Sequence, residues 1–130
     1  MKEKPYNGKT WTQARFNSFV KSMLRQGSMR WGPRNKAISR AYIDDGINPK
    51  TGRKCKLHRC EKCNDCFAKG DMHADHIIPV IPETGFDSWD ATIKRMFCEE
   101  EGFRILCKEC HRACTKEENA MRRIYAKERG

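Results

Sequence analysis

Chemistry in this chain is concentrated in eight cysteines, four histidines and one adjoining acid–base pair. Two Cys-x-x-Cys hooks stand out, CEKC (Cys60, Cys63) and CKEC (Cys107, Cys110). Two such hooks together make a four-thiolate tetrahedral set, the usual closed site of a structural zinc. The CEKCNDC run also offers Cys63 with Cys66 as a pair, and residue types alone leave both pairings open. Cys66, Cys98 and Cys114 read as small buried hydrophobes. Between the hooks lies HADHIIPVIP, which sets Asp75 and His76 side by side before an apolar run. Ionisable groups beside buried-looking apolar residues are costly unless something uses them. His111 directly follows Cys110, so a metal that fixes Cys110 also fixes the backbone at His111.

Zinc held this way can bring Asp75, His76 and His111 together. A carboxylate and a neutral imidazole are reasonable ligands for a second, catalytic divalent cation, Mg²⁺ or Mn²⁺. The remaining imidazole is free to take a proton from water. Phosphodiester hydrolysis suits this set, with the cation neutralising charge on the phosphate and His76 deprotonating the attacking water. The competing reading is a zinc-stapled nucleic-acid-binding module in which these groups are structural. His73 reads as a strand-face histidine near the site. His58, in KLHRC, is not needed as a ligand where four cysteines suffice. A thiol redox role for the hooks lacks a βαβ context.

These residues need elements to position them, and the composition bounds what is possible. The chain has 130 residues, enough for one domain with an extension, and carries a net charge of +10. Its mean hydropathy is −0.89, so the core is thin and a metal staple would help. The excess of base favours a polyanionic partner. No stretch approaches the ~18 apolar residues of a membrane span. No apolar run follows the N-terminal MKEKPYNGKTW, so no signal peptide is expected. The expected location is the cytoplasm, where thiols stay reduced and eight cysteines point to metal. Charge is uneven. Residues 1–59 hold 15 Lys+Arg against 3 Asp+Glu, or +12, while residues 60–130 come to −2.

The basic part has helical grammar. Phe16, Phe19, Val20, Met23 and Leu24 share one face, Thr10 with Gln13 fits a capping box, and Gly27 fits a stop. Arg15, Lys21 and Arg25 occupy the other face. A second helix is predicted from Pro33, with Ala37, Ile38, Ala41 and Tyr42 inward and Arg34, Lys36 and Arg40 outward. The six basic residues are candidate phosphate contacts. DDGINPKTGRKCKLHR reads as a linker or extended loop. Further on, a strand is predicted over DMHADHIIPV, ended by Pro79, and a helix over WDATIKRMFCEE, with Asp90 near its cap and Ile93, Met96 and Phe97 inward. FRILC is the second strand. The C-terminal stretch is helical, with Thr115 and Glu118 offering a fresh capping box and so a break near Thr115, beyond which Ala120, Met121, Ile124 and Tyr125 form a stripe.

Taken in order, CEKC, ADHIIPV, ILCKECH and TKEE resemble the HNH endonucleases, the ββα-metal nucleases, and most of all their phage-encoded branch with two zinc hooks. The likeness covers residues 58–120, about half the chain. It implies a small α+β fold with a ββα-metal core over 58–130; the basic helical DNA-binding extension expected over 1–57 lies outside the likeness and rests on charge and helix pattern alone. It implies that Asp75 and His111 bind the catalytic cation and that His76 is the general base. It implies DNA, double-stranded by preference, as partner, with phage DNA-processing proteins as further partners and a host cytoplasm as the setting. The twelve-residue step from Cys63 to Asp75 resembles the family's and selects Cys60 with Cys63 as the first hook. In one respect the chain departs from the family. The family's middle Asn, read as bracing the loop between strands, stands here as Gly102, so side-chain bracing is lost.

Overall fold

The structure is a computed structural model, which describes residues 2–129. Among the described residues, four helices, two small antiparallel sheets and two 3₁₀ turns make a small α+β fold. Helix α1 spans Gln13–Ser28 and α2 spans Gly32–Arg40. Strands β1 (Tyr42–Ile47), β2 (Lys54–Arg59) and β3 (Cys66–Ala68) form one sheet in that order. Strands β4 (Met72–His76) and β5 (Phe103–Cys107) form the other, with α3 (Trp89–Met96) in the connection between them. Helix α4 (Lys108–Arg129) leaves β5 without a loop.

Thr12, not Thr10, caps α1, its side chain accepting from the Arg15 amide. Thr10 closes a turn instead, bonding the Asn7 carbonyl, with Asn7, Gly8 and Lys9 all at positive φ. Gly27 lies inside α1, which runs one residue further before Met29 caps it. The predicted apolar stripe of α1 is half covered: Phe16 stacks on Tyr6 at 4.1 Å, while Phe19 and Met23 stay exposed. Ser88 caps α3 through the Ala91 amide, which leaves Asp90 in the first turn, where a negative charge favours the helix dipole.

The predicted linker is a hairpin. β1 and β2 pair antiparallel from Tyr42↔His58 to Ile47↔Lys54, with an irregularity at Tyr42/Asp44. Its turn is closed by Asn48, which bonds Arg53 and Gly52 through the backbone and Lys50 through its side chain, with Gly52 at φ +73. Turn-forming residue types dominate this stretch and mask the short strands that flank them. Tyr42 consequently belongs to β1 rather than to the inner face of α2, which ends at Arg40. Nor does α4 break at Thr115. It is one helix of 22 residues, because a good cap residue starts a helix only where the preceding backbone is extended.

Ala37, Ile38 and Ala41 of the N-terminal part share one buried cluster with Met72, Phe103, Ile105 and Leu106. Position 57/58, the expected domain boundary, falls inside β2. Trp31 adds a tie, donating from Nε1 to the Cys98 carbonyl at 2.6 Å and meeting Phe97 edge-on. β4 ends at His76, short of Pro79, and Ile77 and Ile78 are exposed rather than core. No helix among the described residues is long and apolar enough to cross a membrane.

The glycine at 102 has a local cause. A Cβ there would stand 2.5 Å from the Cys98 Sγ and 3.0 Å from its Cβ, so any side chain at 102 would force Cys98 to move. The loop is instead braced through backbone, the Gly102 carbonyl accepting from the Ile77 amide at 2.9 Å. Gly102→Asn is therefore expected to destabilise the protein by about 1–3 kcal/mol through overpacking. The same change in a Cys98→Ala background should cost clearly less. Paired thermal or urea melts measure both, and equal costs would mean the contact with Cys98 is not the cause.

Candidate metal centre and acid–base cavity

The first hook sits in a tight turn between β2 and β3. The Cys60 amide donates to Asp65 O, the Asn64 amide donates to Cys60 O, and Asn64 adopts φ +66. The second hook spans the end of β5 and the first turn of α4. Together they bring the sulfurs of Cys60, Cys63, Cys107 and Cys110 within 4.8 Å of one another, with Cys63 and Cys107 at 4.0 Å. Tetrahedral zinc with Zn–S of about 2.3 Å needs sulfurs about 3.8 Å apart, so this cluster fits the ion. Burial opposes ionisation of Cys60, but backbone amides of Cys63, Cys107 and Lys62 outweigh it and pull that thiol down. Burial and the neighbouring sulfurs push Cys110 up. Four crowded thiols of this kind ionise together only around a cation. Cys66 stands outside the cluster, as do Cys98 and Cys114. Cys114 is buried, whereas Cys66 and Cys98 are half-buried.

A second tie passes through Glu61, between the hook cysteines. Its backbone amide donates to the Ile105 carbonyl and its Oε1 accepts from the Ile105 amide at 2.6 Å. Both carboxylate oxygens also receive Arg40, at 2.9 and 3.0 Å. Burial raises the Glu61 carboxyl, but Arg40 and the Ile105 amide prevail and hold it below its ordinary value.

Asp75, His76 and His111 all line one cavity of about 220 Å³, at the end of β4 and the start of α4. The strand pairing sets Asp75 opposite Arg104, whose guanidinium reaches Asp75 Oδ2 at 2.9 Å. The other oxygen, Oδ1, lies 3.8 Å from His111 Nδ1, a buried nitrogen with no hydrogen bond among the described residues. His111 also stacks on His73 at 4.6 Å. Burial first, and then the neighbouring His111 and Lys108, hold the His73 imidazole below its usual range. His76 Nε2 is 2.9 Å from the Met96 carbonyl at the end of α3. A carbonyl only accepts, so this contact places the proton on Nε2 and leaves the Nδ1 lone pair available. One carboxylate oxygen and one unpartnered imidazole nitrogen facing each other suit a borderline-to-hard divalent cation.

Sequence reasoning missed four residues of this cavity or its edge. Thr115, Glu118 and Arg122 follow His111 at helical spacing and line the same space, a signal hidden by the expected break at Thr115. Burial, and next the charge of Asp75, push the Glu118 carboxyl up. Arg122 is held by the Ile81 carbonyl and the Asn119 side chain. Arg104 is visible only once strand register is known.

The six basic candidates scatter. Arg25 reaches the rim of the cavity. Arg15 lies over the Trp11 ring at 4.8 Å, and Lys21 is half-buried on α1. Arg34 is half-buried beside Asn35, and Lys36 faces Glu99, Glu100 and Glu101 across a shallow cleft. Arg40 is engaged within the fold: besides Glu61 it donates to the carbonyls of Glu100 and Phe103. The residue stays exposed, but its guanidinium is taken up by partners within the fold. Arg40→Ala is expected to lower stability by about 1–2 kcal/mol, allowing for its partial exposure. Arg15→Ala and Lys21→Ala should change it by less than about 0.5 kcal/mol. Denaturant melts of the three variants separate structural from surface cations, and a neutral Arg40→Ala would refute the assignment.

Purified protein is expected to hold about one tightly bound zinc per chain, read by elemental analysis. Stripping it with a strong chelator should unfold the β4–β5–α4 part. Cys63→Ser should abolish retention of the ion, while Cys66→Ser should leave it in place. Metal-free protein of unchanged melting temperature would rule out a structural zinc.

Comparison with known proteins returns no matching family model, no matching curated protein and no matching solved structure.

Proposed function

We propose that the chain is a metal-dependent DNA endonuclease of the HNH type that hydrolyses phosphodiester bonds. The observation that carries this reading is the convergence of Asp75, His76 and His111 on one cavity, with the His76 ring set by the Met96 carbonyl. The order β4, β5, α4, with thiols clustered beside it, supports the ββα-metal arrangement.

The residues divide the work. His76 accepts a proton from water at Nδ1, and the Nε2–H bond to Met96 stabilises the imidazolium that results. Asp75 Oδ1 and His111 Nδ1 would hold a divalent cation, Mg²⁺ or Mn²⁺, which supplies charge neutralisation at the phosphate and the leaving oxygen. Arg104 fixes the Asp75 carboxylate by its other oxygen, leaving Oδ1 directed at His111. Arg25, at the rim, adds positive charge where a DNA backbone would approach. The zinc site would be structural, holding His111 through its neighbour Cys110.

His76→Ala is expected to reduce metal-dependent plasmid cleavage by about 10²–10⁴-fold while zinc content, fold and DNA affinity stay near wild type. Asp75→Ala and His111→Ala should also lose cleavage, with partial rescue at raised Mg²⁺ or Mn²⁺. His76→Ala should show none. Rates measured against metal concentration, with binding followed separately, distinguish the two kinds of failure. Full cleavage by His76→Ala would end the catalytic assignment in favour of a zinc-stapled binding module.

A further inference from the structure

A second cavity, of about 380 Å³, opens on the three-stranded sheet, away from the residues assigned to hydrolysis. Its lining comprises Ser39, Tyr42, Asp45, Lys56, His58 and Lys69. His58 is the unusual member. It is a polar residue only 3% exposed, yet its Nδ1 makes no hydrogen bond among the described residues. Leaving a buried polar atom unpaired is costly, so such a group calls for an explanation. The Tyr42 ring packs against this imidazole at 5.7 Å, edge to face, and yet remains 42% exposed. The Tyr42 hydroxyl donates to Asp45 at 3.0 Å, which fixes the ring's orientation. The acid of the cavity is therefore already engaged. Lys56 and Lys69 both line the cavity, and neither makes an ion pair among the described residues. Lys54, two residues before Lys56 on β2, extends the cationic row along the same strand face.

An immobilised, exposed aromatic ring beside two free ammonium groups has a specific chemistry. The ring offers a flat apolar face to a base, and the ammoniums offer charge to the phosphate next to it. An acidic peptide would use the lysines but leave the ring idle. We propose that Tyr42, Lys56 and Lys69 form a binding site for one unpaired nucleotide of a nucleic-acid strand, with its base on Tyr42 and its phosphate between the two lysines. Buried His58 backs the ring. This site stands independently of the hydrolytic reading, since it requires only binding.

The probe is a short fluorescein-labelled oligothymidylate, titrated with zinc-loaded full-length protein without added Mg²⁺ or Mn²⁺ and read by anisotropy. Tyr42→Ala should weaken binding about 10-fold, the size of one lost base–aromatic stack, and Tyr42→Phe, which keeps the ring but loses its bond to Asp45, should weaken it clearly less. Lys56→Glu with Lys69→Glu should weaken binding and flatten its dependence on salt by about one phosphate contact. Wild-type protein supplies a test that no variant can spoil: the ring resonances of Tyr42 and His58 should shift on adding thymidine 5′-monophosphate, and not on adding inorganic phosphate alone. Equal affinity for Tyr42→Ala and wild type, or ring resonances that ignore the nucleotide, would overturn the proposal. So would lysine variants that weaken binding while Tyr42→Ala does not, because the site would then be a bare phosphate contact. Loss of cleavage in His76→Ala with this binding intact leaves the inference standing, and failure here with cleavage intact leaves the endonuclease reading standing.

Discussion

The rest of the molecule hangs on four sulfur atoms. Cys63 and Cys107 stand 44 positions apart and their sulfurs 4.0 Å apart. A chain with mean hydropathy −0.89 has little apolar surface with which to close such a loop. A dication bound by both hooks would close it directly, and binding free energy at such a site is folding free energy. The consequence is positional. The second hook straddles the junction of β5 and α4, so fixing it fixes the direction of the helix that carries His111, Thr115, Glu118 and Arg122 into one cavity.

Glu61 shows how that constraint spreads. It lies inside the first hook, pairs with Ile105 on the strand that delivers the second, and receives Arg40 from α2. One carboxylate thus joins hook, strand and N-terminal helix. The basic part of the chain is not a loose arm beside a metal-bound core: Ala37, Ile38 and Ala41 are packed among Phe103, Ile105 and Leu106. Charge asymmetry along the sequence, +12 against −2, marks a difference in surface and not a seam in packing.

How much of this was legible in the sequence follows from the range of each signal. The hooks and the grouping of Asp75, His76 and His111 were legible, because ligand spacing and strand–helix order are local features. The hairpin over residues 42–59 was not, because Asn48, Pro49 and Gly52 announce a turn more loudly than two short, mostly exposed strands announce themselves. The pairing of Arg40 was not visible because its partners, Glu61 and two carbonyls, lie 21 to 63 residues away. Gly102 read as a missing brace because the sulfur that excludes a side chain belongs to Cys98, a neighbour only once the 3₁₀ turn at Glu100–Gly102 is formed. Glu118 was hidden by a cap motif that is real in type but sits in the middle of a helix.

Neighbours on a regular strand point to opposite faces, so Asp75 and His76 should not share a cavity. The strand resolves this by ending at His76. Asp75 pairs across the strands with Arg104, whose guanidinium holds its carboxylate. His76 closes the pairing opposite Phe103 and rests its ring against that side chain at 4.8 Å. Beyond it the chain bends away, pinned by the Ile77 amide on the Gly102 carbonyl. The ring is then captured from outside the sheet, by the carbonyl of Met96, whose own side chain is buried. The long connection between the two strands is therefore more than a tether. Its helix supplies the acceptor that holds His76 where it can face the cavity of its neighbour.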